Sequence, residues 1–343
     1  MLFFECDYAE GAHPAVLERL CATNMEQTEG YGTDPYCRQA GNLIRTLCAS
    51  DGAVHFLIGG TQVNTAIIAA ALRPHQGVLC AGSGHINVHE TGGVEASGHK
   101  VLPLPGHDGK ITAAQIARAC DAHRADASRE HLVQPGMVYL SQPTEYGTLY
   151  SLDELRRISE TCRVHGLWLY VDGARMSYGL AAAGNDVTLP DLARLCDAFT
   201  LGGTKTGALF GEALVITAPA LQNDFRYIMK QRGAMLAKGR LLGLQFLALL
   251  EDGLWLRIAA HANTQALRIA GAFRRKGCPL CYPSPTNQQF LILTPQQAGA
   301  LTAHCHFSRW SELPDGRLVT RFCTSWATRT EHVDALIGHI EAL

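Results

Sequence analysis

Leu169-Tyr170-Val171-Asp172-Gly173-Ala174-Arg175 is the stretch whose reading decides the fold. An unbroken apolar run closed by a turn residue reads as a strand covered on both faces, and such strands belong to parallel sheets. The acid at its end is a chemical clue, because a carboxylate closing a buried strand is costly unless something pairs with it. The same grammar repeats outward in both directions. Apolar runs at 54–58, 77–81, 100–104, 137–141, 167–171, 198–201 and 213–217 read as strands, and helical patterns at 61–72, 113–123, 152–165 and 189–195 separate them. The expected class is α/β: a mainly parallel seven-stranded sheet with helices on both faces, its ligand at the carboxyl ends of the strands.

The pattern changes near residue 220. Residues 221–250 read as one long helical stretch with a weak point at Gly233, and 254–276 as another helix. Strand patterns return at 290–293 and 318–323, and 330–343 closes as a helix. The expected division is a large α/β domain over 1–228, N-terminal arm included, followed by connecting helices and a small C-terminal α+β domain over 229–343.

Lys and Arg total 29 against 31 Asp and Glu, scattered along 343 residues, so no nucleic-acid or anionic-membrane footprint is expected. No apolar run has bilayer length, and Met1 to Asp7 lack the basic and apolar regions of an export signal. The twelve cysteines are mostly isolated and are expected to be reduced thiols in a cytoplasmic protein. Cys278-Pro279-Leu280-Cys281 stands without a second pair and reads as a strand-edge pair rather than a zinc or redox site.

Four segments carry chemistry. In Phe56 to Asn64 a strand ends in Gly59-Gly60 and a helix opens at Thr61. Free first-turn N–H groups and the helix dipole suit a phosphate there, although a tight turn capped by Thr61 explains the residues equally well. Asp172 is placed to pair with a pyridinium N–H, while acids in this position also serve Mg²⁺ and nucleotides. Phe199-Thr200-Leu201-Gly202-Gly203-Thr204-Lys205-Thr206-Gly207 puts a lysine in a turn of small residues after a strand, without the glycines of a Walker loop. Such a lysine loses its proton readily and forms an imine, whereas most single loop lysines are merely solvated. In Gly82 to Glu90, His85 and His89 are four residues apart with Glu90 adjacent. A planar imidazole against an aromatic cofactor ring is the better functional reading of His85, a metal pair the weaker one, and a surface position suits His89. Taken in order, an anion site, a ring platform, an acid partner and an imine lysine form the set that pyridoxal phosphate requires.

The ordered set resembles the L-threonine aldolase/β-eliminating lyase family of fold-type-I pyridoxal-phosphate enzymes. The likeness runs over nearly the whole chain: Cys6-Asp7-Tyr8, Tyr31-Gly32-Thr33-Asp34-Pro35, Gly60-Thr61-Gln62-Val63-Asn64, His85-Ile86-Asn87, Asp172-Gly173-Ala174-Arg175, Gly203-Thr204-Lys205 and Arg321. The resemblance implies that Gly60, Thr61 and Gln62 hold the phosphate, His85 stacks on the ring, Asp172 pairs with its nitrogen and Lys205 forms the Schiff base. It implies that Arg175 and Arg321 bind the substrate carboxylate, that Tyr31 lines the pocket from a neighbouring subunit, and that Lys238 reaches a neighbour's phosphate. It further implies a homotetramer, or a homodimer, with sites between subunits. Two positions depart from the family pattern. Cys6 stands where a serine usually helps hold the substrate carboxylate. In Pro143-Thr144-Glu145-Tyr146, Glu145 stands where a histidine commonly handles the substrate hydroxyl.

The expected activity is cleavage of the Cα–Cβ bond of a β-hydroxy-α-amino acid to glycine and an aldehyde, with Glu145, or a water held by His85 or His89, as the base. β-Elimination, racemisation or transamination of an amino acid is the alternative on the same cofactor. A non-catalytic or metal-binding protein using His85, His89 and Glu90 is the reading from a different class, and no metal is expected.

Overall fold

The computed structural model describes all 343 residues. The alternating apolar runs form one seven-stranded sheet, ordered in space as Ala53–Leu57, Glu212–Ile216, Ala198–Gly202, Trp168–Asp172, Gln134–Ser141, Gln76–Ala81 and Lys100–Leu104. All neighbours are parallel except Glu212–Ile216, which runs antiparallel to both of its partners. Ala198–Gly202 and Glu212–Ile216 are buried at every position, as strands paired on both edges and covered on both faces must be.

Alternate residues feed two apolar layers. Val63, Ala66 and Ile67 of helix Gly60–Ala71 pack on Leu57, Val78, Tyr139 and Tyr170. On the opposite face Ile44, Ile116, Leu155 and Ile158 pack on Leu79, Val138, Leu169 and Phe199. Reciprocal capping boxes begin helices Ala113–Ala125, Leu152–His165, Leu189–Leu195 and Pro295–Thr302.

A second, three-stranded antiparallel sheet (Ser308–Glu312, Leu318–Cys323, Gln288–Leu293) has its own core against Ile269, Phe273, Val333, Leu336 and Ile340. The first residues are tied to this region: Leu2–Phe3 pairs in parallel with Cys305–His306, and Cys323 N–H donates to Phe4 O at 2.8 Å. No helix is long and apolar enough to cross a membrane.

The expected long helix over 221–250 is three helices, Pro219–Gln222, Phe225–Gln231 and Arg240–Leu250. Gly233, in the left-handed region, ends the second of them at the expected weak point, and tertiary contact keeps the next residues out of a helix. The 237–239 segment packs backbone to backbone on 30–32, with Tyr31 N–H donating to Ala237 O at 3.2 Å. A Cβ on Gly239 would lie 2.4 Å from the Gly32 nitrogen, so only glycine permits that approach. Helices Pro14–Ala22 and Pro35–Cys48 are absent from the apolar pattern, although Pro35 opens the second and Asp34 caps it by accepting from Cys37 N at 2.9 Å.

Candidate active site

A polar cavity of about 110 Å³ lies at the carboxyl end of the sheet, where Ser141 and Asp172 are paired as the last residues of adjacent strands. Twelve residues line it, among them Gly60, Thr61, Asn64, His85, Glu145, Asp172, Arg175 and Lys205, and only one is hydrophobic. Residues up to 145 positions apart in the chain are thus collected by the strand order.

The Gly59-Gly60 turn presents the start of helix Gly60–Ala71 to this cavity. Val63 N–H is the first to be bonded within the helix, to Gly59 O at 3.1 Å, so the earlier amides are free for an anion. A Cβ built on Gly59 or Gly60 meets nothing within 4 Å, so the space above the turn is open. Gln62 does not border the cavity; it accepts from Ile58 N at 3.3 Å and donates to Arg232 O at 3.4 Å, bracing the turn from behind.

Asp172 is buried and held by neutral donors. Oδ2 accepts from Tyr139 OH at 2.8 Å and from Asn64 Nδ2 at 3.0 Å, and Oδ1 accepts from Ala174 N at 2.9 Å. No cation pairs with it, which leaves a buried negative charge suited to a protonated ring nitrogen. Lys205 stands on a turn clamped to the neighbouring strand: Gly203 N–H and Thr204 N–H both donate to Gly211 O, at 2.9 and 3.1 Å. The open anion turn, the unbalanced acid and the lysine on one cavity fit pyridoxal phosphate.

His85 opens a short helix and Nδ1 lies 2.8 Å from Glu90 Oε1. Its backbone N–H donates to Glu145 Oε1 at 2.8 Å, and Ser141 Oγ donates to the same oxygen at 2.5 Å. Burial pushes the Glu145 carboxyl up, against those two hydrogen bonds, and the charge of Asp172 adds to the rise. His89 is exposed, its ring 5.5 Å from that of His85 and edge-on to Trp310 at 5.8 Å, and no group of three His, Cys, Asp or Glu side chains converges for a metal.

Arg175 is committed on one side. Nε and Nη2 donate to Asp7 at 2.7 and 2.9 Å, in a bidentate pair whose acid is wholly buried. Burial works to raise the Asp7 carboxyl, but the Arg175 guanidinium overrides it and holds Asp7 below the ordinary carboxylate range. Nη1 takes no part in this pair. Asn287 Nδ2 also donates to Asp7, at 2.9 Å, so this acid joins the two sheets. Sequence reasoning passed over Asp7, which holds Arg175, in favour of Cys6, which is only partly buried; neither borders the cavity itself. Arg321 stands back as well: its fork is taken up by Gln288, Ser308 and Glu5 O, and it lies over the Trp310 ring at 5.1 Å. Tyr31 and Lys238 are exposed neighbours on a surface away from this cavity.

Glu212 is buried beside the strand that leads to the Lys205 turn, paired in register with Leu57 on one side and Gly202 on the other. Burial pushes its carboxyl up to about 8, with Lys205 pulling the other way. The folded chain therefore keeps a proton on Glu212 that the unfolded chain releases above about 4.5, and stability falls as pH rises from there to about 8. Glu212→Gln is expected to flatten that decline by up to several kcal/mol. Melting temperatures of both proteins across this range check it, and parallel curves would refute it.

Comparison with known proteins agrees with this geometry. The beta-eliminating lyase family model matches residues 5–295. A low-specificity L-threonine aldolase of Pseudomonas aeruginosa is 33% identical over 340 residues, 98% of this chain and 96% of that protein. A solved threonine aldolase structure from Leishmania major superposes with a TM-score of 0.97 at 42% identity, covering 100% of this chain and 99% of that one. An aspartate aminotransferase of Thermus thermophilus, at 13% identity and a TM-score of 0.73, covers 100% of this chain and 91% of its own and shares the fold. The chain belongs to the beta-eliminating lyase family of pyridoxal-phosphate-dependent enzymes, on the fold-type-I scaffold.

Proposed function

We propose that this chain is a threonine aldolase-like carbon–carbon lyase that cleaves a β-hydroxy-α-amino acid to glycine and an aldehyde. The observation that carries the reading is the meeting of Lys205, Asp172, Thr61, His85, Glu145 and Arg175 on one cavity, together with the likeness to two threonine aldolases over almost their full lengths. Bound pyridoxal phosphate supplies an electron sink for the Cα–Cβ bonding pair.

The protein's part is to hold and to move protons. The amides of Gly60 and Thr61 receive the phosphate, Lys205 provides the covalent attachment, and Asp172 keeps the ring nitrogen protonated. His85 gives the ring a flat neighbour. Arg175 Nη1 takes the substrate carboxylate and so fixes which bond faces the ring. Glu145 takes the proton of the β-hydroxyl. Its raised proton affinity suits a base that must accept a proton.

Glu145→Gln is expected to lower kcat by roughly 10²- to 10⁴-fold, the usual weight of a general base, while the cofactor absorbance stays. An unchanged kcat would remove Glu145 from the mechanism. Product analysis tests the reaction itself with threonine, phenylserine, serine and cysteine. Glycine plus aldehyde is expected; keto acid plus ammonia would move the chain to the β-eliminating reading.

The exposed pair of Tyr31 and Lys238 supports an assembly in which a second copy of the chain brings these residues to its neighbour's cavity, within a homotetramer or a homodimer. Gln62 assists the phosphate indirectly, through the turn. Twelve unpaired cysteines are in keeping with the cytoplasm.

A further inference from the structure

The proton transfers outlined above leave Glu90 without a role, yet its side chain is wholly buried and faces the cavity residues. Oε1 lies 2.8 Å from His85 Nδ1 and accepts from Asn64 Nδ2 at 2.7 Å, whereas Oε2 has no partner. The same Asn64 nitrogen donates to Asp172 Oδ2 at 3.0 Å, and Asn64 Oδ1 accepts from Tyr170 OH at 2.7 Å. The amide has one workable orientation, because its reverse would set an oxygen against two carboxylates. Two acids therefore share one donor atom. Asp172 is offset by the ring nitrogen when the cofactor is bound. Glu90 faces a single group able to bring it positive charge, the His85 imidazole.

A glutamine would brace this loop at less cost than a fully buried acid with an orphaned oxygen. The charge therefore has a use beyond bracing. Glu90 Oε1 already accepts from Asn64, and an oxygen that accepts from both neighbours places the proton of the 2.8 Å contact on Nδ1. With Nδ1 engaged in this way, Nε2 is the nitrogen left with a lone pair.

We propose that Glu90 is the positioning residue of His85: it holds the ring as the Nδ1–H tautomer, presents Nε2 as the basic nitrogen, and is tied through Asn64 to the acid that pairs with the cofactor. The consequence for catalysis rests on the aldolase reading; the tautomer does not. Carboxylates that orient a histidine in this way fix both its rotation and its proton.

The test is ¹⁵N NMR of histidine-labelled protein with cofactor bound, at a pH where the imidazole is neutral, with the His85 signals assigned from His85→Gln. The wild type is expected to show one tautomer at His85, Nδ1–H. Glu90→Gln, whose amide both accepts and donates, is expected to give a mixture, and Glu90→Leu the Nε2–H form. In Glu90→Gln, kcat should fall roughly 10- to 100-fold, the range for partners that orient a metal-bound histidine, with KM nearly constant. A wild-type tautomer retained in the variants overturns the proposal, as does an unchanged kcat in Glu90→Gln. If Glu90→Leu does not fold, the isosteric glutamine variant decides. Should the wild type make no glycine and aldehyde, the aldolase reading fails while the NMR result still reports on Glu90.

Discussion

Lys205→Ala yields a folded protein with no covalently attached cofactor and activity lower by roughly 10³-fold or more, the scale of loss when a covalent residue is removed. The expectation follows from the turn that bears it. Gly203 and Thr204 are bonded to Gly211 O, Thr204 Oγ1 accepts from Gly211 N at 3.0 Å, and Trp255 Nε1 donates to Gly202 O at 2.9 Å. These contacts do not involve the lysine side chain, so the truncated protein keeps its turn. Borohydride reduction followed by peptide mass spectrometry is the direct check. The wild type should carry the reduced cofactor on the peptide containing Lys205, and the variant should carry none. A label of equal yield elsewhere in the variant would show that another lysine bears the cofactor.

Asp7→Ala is expected to cost roughly 3–5 kcal/mol of stability, the penalty for breaking one partner from a buried ion pair. The Arg175 side chain is only 15% exposed and would lose the acceptor of two of its hydrogen bonds. An apparent melting temperature lower by about 5–10 °C is the corresponding observation for a chain of this size. Asp7→Ala combined with Arg175→Met should recover much of the loss, since an apolar replacement of both partners leaves no unpaired charge. A double variant as unstable as the single one would mean that packing, not charge, is responsible. The pair also shapes the acid limb. Asp7 is held below its ordinary value of 3.8 in the folded chain, so its contribution is complete above that pH and is lost as pH falls through the lower, folded value. Asp7→Asn should therefore be less stable near neutrality and lose less on acidification than the wild type.

The sheet was legible because its strands are short apolar runs, and their signal does not depend on partners far along the chain. Most observed boundaries lie within a residue or two of the pattern: 167–171 became Trp168–Asp172, and 213–217 became Glu212–Ile216. Within 221–250 the weak point at Gly233 was legible, since glycine ends the helix over Phe225–Gln231 there, whereas the contact with 30–32 that keeps 237–239 out of a helix is invisible locally. Lys205, Asp172, Thr61 and His85 could be singled out because each stands at a strand end or turn with an exposed chemical role. Asn64 could not, and Glu90 stood out only as a metal ligand, not as the partner of His85. A polar residue in the first turns of a helix reads as solvated, and only the sheet order brings Asn64 to Asp172, which is 108 residues away. Cys6 drew notice as a departure from a family pattern, whereas the next residue, Asp7, reaches the site through Arg175.

The tie between residues 2–4 and the strands at 305–306 and 318–323 bears on how the enzyme is born. Domains generally fold from the N-terminus as synthesis proceeds, and the large sheet is complete once residue 216 has been made. At that moment the strand to which the Asp7 segment is bonded does not yet exist. Until it is made, the Asp7–Arg175 pair lacks the Asn287 donor and the strand that anchors its segment. The nascent protein thus holds its cofactor platform before its substrate clamp is fully anchored, and a chain halted after the large sheet would be an unfinished site rather than a smaller enzyme.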